Sequence, residues 1–341
     1  MATKTFNIYK LHFTSPFHIS DRRDDYGKSL RSIQSDTMYA AITATLAKMG
    51  ENIPDDGDLG FAISSLFPYY QESEEEKPVY FLPMPFQTYM PELEDVAMAK
   101  KVKKVQWVDS KLYSKLLKGT NLFGGSDNKY VKHIQAIYLT EKELSGNIDG
   151  SREFVNSEVF QRVSKADRTG LEDAWPFYID RITFKDLSGL YFLVIGNTDF
   201  LDEALKLLVL EGIGTDRNVG LGTFEYKKDS ITIEVPEEAE YQVALSLLIP
   251  ESQNQLKDLL SSSKIAYDFD RRGGWITSCT DHHYRKNAIW GFLPGSVFCN
   301  TRMDCIGRIV NLQPKDEKGQ DLTSFPVWRN GKSIMLPITI I

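Results

Sequence analysis

The chain has 341 residues, of which 42% are hydrophobic, 12% aromatic and 26% charged. That composition excludes a disordered chain and is enough for a sizeable core in two or three domains. No apolar run is long enough to span a bilayer, and Met1 to Phe6 lacks the apolar core of a signal peptide. The three cysteines, Cys279, Cys299 and Cys305, are too sparse for a disulfide framework and fit a reducing cytoplasm.

A net charge of −7 by itself argues against a nucleic-acid binder. The charge is segregated, however. Residues 51–99 carry eleven acids against one lysine, 100–135 nine lysines against two acids, and 271–341 ten basic residues against five acids. Such blocks let one face repel RNA and another attract it, or they are simply solvated surfaces.

Along the chain, Tyr9, Leu11 and Phe13 alternate with Lys10 and His12, the period of a half-buried strand. A turn-rich loop follows, and Ser35-Asp36 reads as the N-cap region of a helix over 37–49. Met38, Ile42, Thr45 and Leu46 share one face of that helix, and Gly50 closes it. Residues from about 51 to 153 read as an insertion, broken by Pro78, Pro83, Pro85 and Pro91 and containing a Gly124-Gly125 tip. Strands are then expected at 154–164, 177–184 and 190–195. A helix over 200–210, with Leu201, Leu205 and Leu208 on one stripe, leads through a glycine-rich loop to a strand ending at Val235.

This order predicts an α+β protein of two ferredoxin-like (RRM-like) units. The first, 1–235, carries the insertion and a thumb-like hairpin at about 162–178. The second, 236–341, is abbreviated, with strands near 242–249, 296–298, 306–312 and 334–340 and a short helix at 254–260.

The most specific local feature is the loop from Gly212 through Gly214, Arg217 and Gly220 to Gly222. It lacks the lysine of a P-loop, and it runs from helix to strand, opposite to a dinucleotide fingerprint. What remains is either a tight connection or a cradle of bare backbone amides for a ribose-phosphate chain, with Arg217 supplying charge. The loop after the first strand holds Ser15, His18, Arg31, Ser32 and Ser35 ahead of a helix N-terminus, a natural anion site. His12 lies in the strand pattern and reads as structural, and His18 reads better as an RNA contact than as a catalyst. Cys279, His282 and His283 lack the repeated spacing of a zinc site, so no metal or other cofactor is expected. The excursion with Arg162, Lys165, Arg168 and Trp175 suits either a hairpin that wedges at a base step or a route into the core. No spacing marks a catalytic triad or carboxylate pair.

Several stretches together resemble the RAMP superfamily of CRISPR proteins, and within it the fourth-subunit family of type III-A (Csm) complexes. They are Leu11 to His18, Ser35-Asp36-Thr37-Met38-Tyr39, Arg162-Val163-Ser164 with Arg168, and the loop from Gly212 to Gly222. Arg272-Gly273-Gly274-Trp275-Ile276, with Arg271 before it as a further candidate RNA contact, and Pro326-Val327-Trp328-Arg329-Asn330-Gly331 complete the set. Relatives carry a histidine where this chain has Gln34, which weakens a case for catalysis there. The resemblance implies a cytoplasmic, non-catalytic subunit that holds the 5′ handle of the guide (cr)RNA. It would bridge the large polymerase-like signalling subunit to the backbone RAMP subunit, with its hairpin meeting target RNA near the handle. Two rivals are a repeat-cleaving endoribonuclease of the superfamily and the equivalent subunit of a Cmr-type (III-B) complex.

Overall fold

The computed structural model describes residues 2–20, 26–71, 73–86, 103–122, 131–134, 137–141, 154–163, 175–185, 187–276 and 284–340. Its first strand, β1 (Ala2–Phe13), buries Tyr9, Leu11 and Phe13 and leaves Lys10 and His12 half-buried, as the alternation requires. Helix α1 (Ser35–Met49) buries Met38, Ile42, Thr45 and Leu46 on its core face. It ends at Gly50, whose positive φ of 82° lets its own N–H reach Ala47 O and the following Glu51 N–H reach Leu46 O. The expected N-cap is displaced by one residue. Gln34 occupies that position without a side-chain cap bond, and Ser35 and Asp36 sit inside the first turn, where both are buried. Their side chains serve tertiary contacts instead.

The region expected as an insertion supplies β2 (Phe61–Ile63), β3 (Phe67–Tyr70), β4 (Val79–Pro83), β5 (Trp107–Asp109), helix α2 (Ser110–Leu117), β6 (Val131–Ile134) and β7 (Tyr138–Glu141). Asp109 caps α2 by accepting from the N–H groups of Lys111 and Leu112. Next come β8 (Val155–Val163), β9 (Pro176–Phe184) and β10 (Gly189–Gly196). Helix α3 (Asp199–Glu211) and β11 (Phe224–Val235) follow.

The main sheet runs β11-β1-β10-β3-β4-β5-β7-β6, with β2 also on β10; every pairing is antiparallel except β5 with β7. Thus β2 and β3, inside the expected insertion, pair with β10. Among the described residues the expected pair β8–β9 joins no other strand of the sheet and forms a two-stranded antiparallel pair of its own. Short Pro-punctuated strands hid this role, because a strand buried on both faces carries no alternation to read. Leu201, Ala204, Leu205 and Leu208 of α3 are buried with α1's apolar face in one core.

The C-terminal part comprises β12 (Tyr241–Ala244), α4 (Gln253–Leu259), β13 (Phe269–Arg272), β14 (Ile289–Phe292), β15 (Val297–Cys299), β16 (Cys305–Ile306), β17 (Ile309–Asn311), β18 (Trp328–Asn330) and β19 (Ser333–Ile338). Its sheet has the order β15-β12-β19-β16. Val243, Leu245, Leu336 and Ile338 extend the large core, whereas Ala244, Phe298 and Met335 pack with Leu248 and Leu259 of the α4 side. The chain is therefore a mixed α+β protein whose two parts share one apolar core. Hydrogen bonds from Ser65 N to Leu245 O (2.9 Å) and from Ser246 Oγ to Ile63 O (2.8 Å) stitch them together. No described helix is long and apolar enough to cross a membrane.

Candidate nucleic-acid interface

Two groups of the expected residues assemble. In the first, the loop after β1 zips onto the glycine-rich loop. The N–H of Gly222 donates to Pro16 O, and that of Thr215 donates to His18 O, both at 2.9 Å. Ser15 Oγ accepts from the Thr223 N–H at 2.9 Å and from its hydroxyl at 2.8 Å. The glycines permit this closeness. A Cβ on Gly222 would lie 2.0 Å from Ile213 O, and one on Gly214 would lie 2.6 Å from His18 O. Gly212 is likewise pressed against Leu221 and Gly222, whereas Gly220, at φ +85°, faces open space.

Between these anchors the backbone alternates hand, with Asp216 at φ 63°, a 3-10 turn over Arg217–Val219, and Gly220 again left-handed. Successive turns of this kind point N–H groups into a common concavity. The N–H groups of Gly214, Asp216, Arg217 and Asn218 donate to no acceptor among the described residues. Arg217 is half-buried and Asn218 exposed.

The β8–β9 hairpin docks at the same place. Arg162 Nη1 bonds Asp216 Oδ2 at 2.6 Å, so this expected RNA contact is neutralised by the loop itself. Phe17 and Ile182 exchange backbone hydrogen bonds. Asp180 is buried; its carboxylate accepts from Ser29 N and Ser157 Oγ. Trp175 is 71% exposed, which settles its side chain outside the core. Lys165 and Arg168 lie outside the described residues.

His18 departs from the expected contact. It is fully buried, with Nδ1 2.7 Å from Asp180 O, and its side chain holds the hairpin base rather than facing outward. His12 Nδ1 sits 3.1 Å from Ser188 O. Each imidazole is thus engaged with a carbonyl, and no hydrogen bond joins the two.

The second group surrounds Asp36. Its carboxylate, fully buried, accepts from Arg272 Nε at 2.9 Å and from Arg329 Nη1 at 2.5 Å. Burial alone would raise its pKa, but the two guanidinium groups outweigh that and hold the carboxyl below its ordinary range. Arg272 also reaches Thr37 and Asp270, and Arg329 Nη2 donates to Gly273 O. Ser35, expected as an RNA contact, instead accepts from Leu247 N at 2.9 Å. Trp328 packs so tightly on Gly57 that a Cβ there would lie 2.3 Å from its ring. The motifs around Asp36 and Arg329 therefore latch the two parts of the chain together.

Sequence reasoning missed this latch. Its trace was a single charged residue, Asp36 and Arg329, in each of two otherwise uncharged motifs. Arg271 and Gly274 are exposed, and Trp275 is half-buried. Arg31 and Ser32 are half-buried; Ser32 lines a groove of about 490 Å³ with Gln34, Phe67 and Trp107. Cys279, His282 and His283 lie outside the described residues.

The sequence matches the family profile "CRISPR Csm4 C-terminal domain" over residues 237–338. It is 26% identical over 260 residues to the CRISPR system Cms protein Csm4 of Thermococcus onnurineus (strain NA1), covering 71% of this chain and 75% of that protein. Its fold is similar to a chain of the Csm3–Csm4 subcomplex of the type III-A CRISPR-Cas interference complex, with TM-score 0.61, 20% identity and coverage of 98% of this chain and 99% of that one. It is also similar to a chain of a Csm1–Csm4 cassette in complex with cA4, with TM-score 0.58, 18% identity and 99% coverage of both.

The solved structures that it resembles share its overall fold along nearly the whole chain. In the sequence of its C-terminal part and in the fold of the whole chain, the protein is Csm4-like.

Proposed function

We propose that this chain is a non-catalytic subunit that holds the 5′ handle of the guide RNA in a cytoplasmic type III-A complex. It binds a large signalling subunit on one side and a backbone RAMP subunit on the other, as the Csm1–Csm4 and Csm3–Csm4 pairings of its structural relatives suggest. The observation that carries the reading is the run of N–H groups at Gly214 and Asp216 to Asn218 beside Arg217. Amides converging on a concavity bind phosphate oxygens, and a neighbouring guanidinium adds charge.

The β11-β1-β10-β3 order, with α1 and α3 between the strands in sequence, supports a ferredoxin-like unit within 1–235. In 236–341 the order β19-β12-β15, with one helix and Ala266 bridged to Val297, supports the abbreviated second unit. The β8–β9 hairpin is then the thumb that meets target RNA near the handle.

Arg217→Ala tests the cradle. In the reconstituted complex it should fold normally and lower guide affinity by roughly ten-fold or more, the value of one charge-assisted contact. The slope of log affinity against log salt should shrink by about 0.7, one phosphate on a single strand. Wild-type occupancy and slope would leave the loop a structural connection.

The endoribonuclease reading is tested separately. Neither histidine is placed for acid–base work on an exposed ribose, so incubation of the pure chain with labelled repeat RNA should yield no cleavage. Specific cleavage abolished by His12→Ala would overturn the non-catalytic assignment.

A further inference from the structure

We infer that the β13–β14 hairpin is a stacking platform for unpaired bases of the guide RNA, an inference that rests on the guide-binding reading above and extends the RNA path into the C-terminal part. Strand alternation puts Phe269 and Arg271 on one face, and the register sets Trp290 directly opposite Arg271. Phe269 is 50% exposed and Trp290 58%, with Tyr267 beside them at 42%. Large aromatic side chains this exposed and this close together are out of place on a surface with no ligand.

The rings are held by their neighbours. Phe269 packs edge-to-face on Trp290 at 5.4 Å, and Tyr267 packs on Phe292 at 5.2 Å and on the buried Phe298. The opposite face of the hairpin is fixed by Arg272, which bonds Asp36 and Thr37 in the first turn of α1, and the adjoining Gly273 carbonyl accepts from Arg329. The platform is thereby preorganised and loses little freedom when a base lands on it.

Charge selects the occupant. The Arg271 side chain has no hydrogen-bond or ion-pair partner among the described residues, and Arg285 is exposed nearby in sequence. Of the two neighbouring acids, Asp270 is paired to Arg272, while Asp268 is exposed and its carboxylate also accepts from the Phe269 N–H. Aromatic faces with an unpaired guanidinium are the elements that bind single-stranded bases and their phosphates. Arg272 ties the hairpin to the first turn of α1, the helix that follows, in the chain, the loop zipped onto the glycine-rich loop through Pro16 and His18.

The experiment uses the assembled complex loaded with guides that carry 2-aminopurine at single handle positions. In the wild-type complex, stacking on the platform should quench the probe at one or more positions. The double variant Phe269→Ala/Trp290→Ala should abolish that quenching and speed guide dissociation by about ten-fold or more. Trp290→Phe, which keeps an aromatic face, should restore much of both, and a melting curve shows that the variants fold.

Unchanged quenching at every position, with Arg217→Ala still releasing the guide, would sink the platform and leave the cradle standing. Loss of a protein subunit from the double variant, with quenching intact, would assign the face to that subunit and overturn the inference. A wild-type complex that carries no guide would remove the reading beneath it.

Discussion

Replacing Asp36 with alanine is expected to destabilise the protein by about 3–5 kcal/mol, the cost of leaving buried charge without its partner. The carboxylate is fully buried between Arg272 and Arg329, and the Arg329 side chain is only 6% exposed. The variant would strand two guanidinium groups at the junction of the two parts. Urea unfolding at neutral pH measures the loss, and a loss below about 1 kcal/mol would mean that water replaces the carboxylate freely.

The acid limb adds an independent check. The folded pKa of Asp36 lies below the 3.8 of an unperturbed aspartate, because its two arginines outweigh the burial that opposes ionisation. Its stabilisation is therefore complete above the unfolded value and is lost as pH falls through the folded one. Below pH 4 the wild-type curve should fall more steeply than that of the Asp36→Ala variant.

Gly222→Ala is expected to cost on the order of 3 kcal/mol, combining left-handed strain with a steric clash. Gly222 has φ +74°, and the new methyl would lie 2.0 Å from Ile213 O. That carbon cannot be accommodated without opening the hydrogen bonds from Ile213 N to Gly222 O and from Gly222 N to Pro16 O. Gly220→Ala is the control, since its methyl meets nothing within 4 Å and only the φ of +85° is penalised, at about 1 kcal/mol. Paired melts of the two variants, with guide occupancy in the assembled complex, separate anchoring glycines from the exposed turn. Equal destabilisation by both would show that backbone hand, and not close approach, makes these glycines necessary.

The two variants also divide what the residues themselves specify from what folding adds. The helix faces of α1 and α3 and the alternation of β1 were legible because period and burial are local properties of a few turns or residues. The glycine-rich loop was legible as a special backbone, since clustered glycines mark close approach or positive φ wherever they fall.

The sequence could not show which charges are spent inside the molecule. Arg162 is paired with Asp216, 54 positions away, and Arg329 with Asp36, 293 positions away. Nor could it show that β2 and β3 pair with β10, or that His18 turns inward to Asp180. Ion pairing and strand pairing depend on distances in space that no local period encodes. The amino-acid sequence alone thus determined the helix faces, the first strand and the special backbone of the glycine-rich loop. Tertiary structure decided which basic residues are paired inside the molecule, because an ion pair forms only where folding brings a guanidinium and a carboxylate together in space.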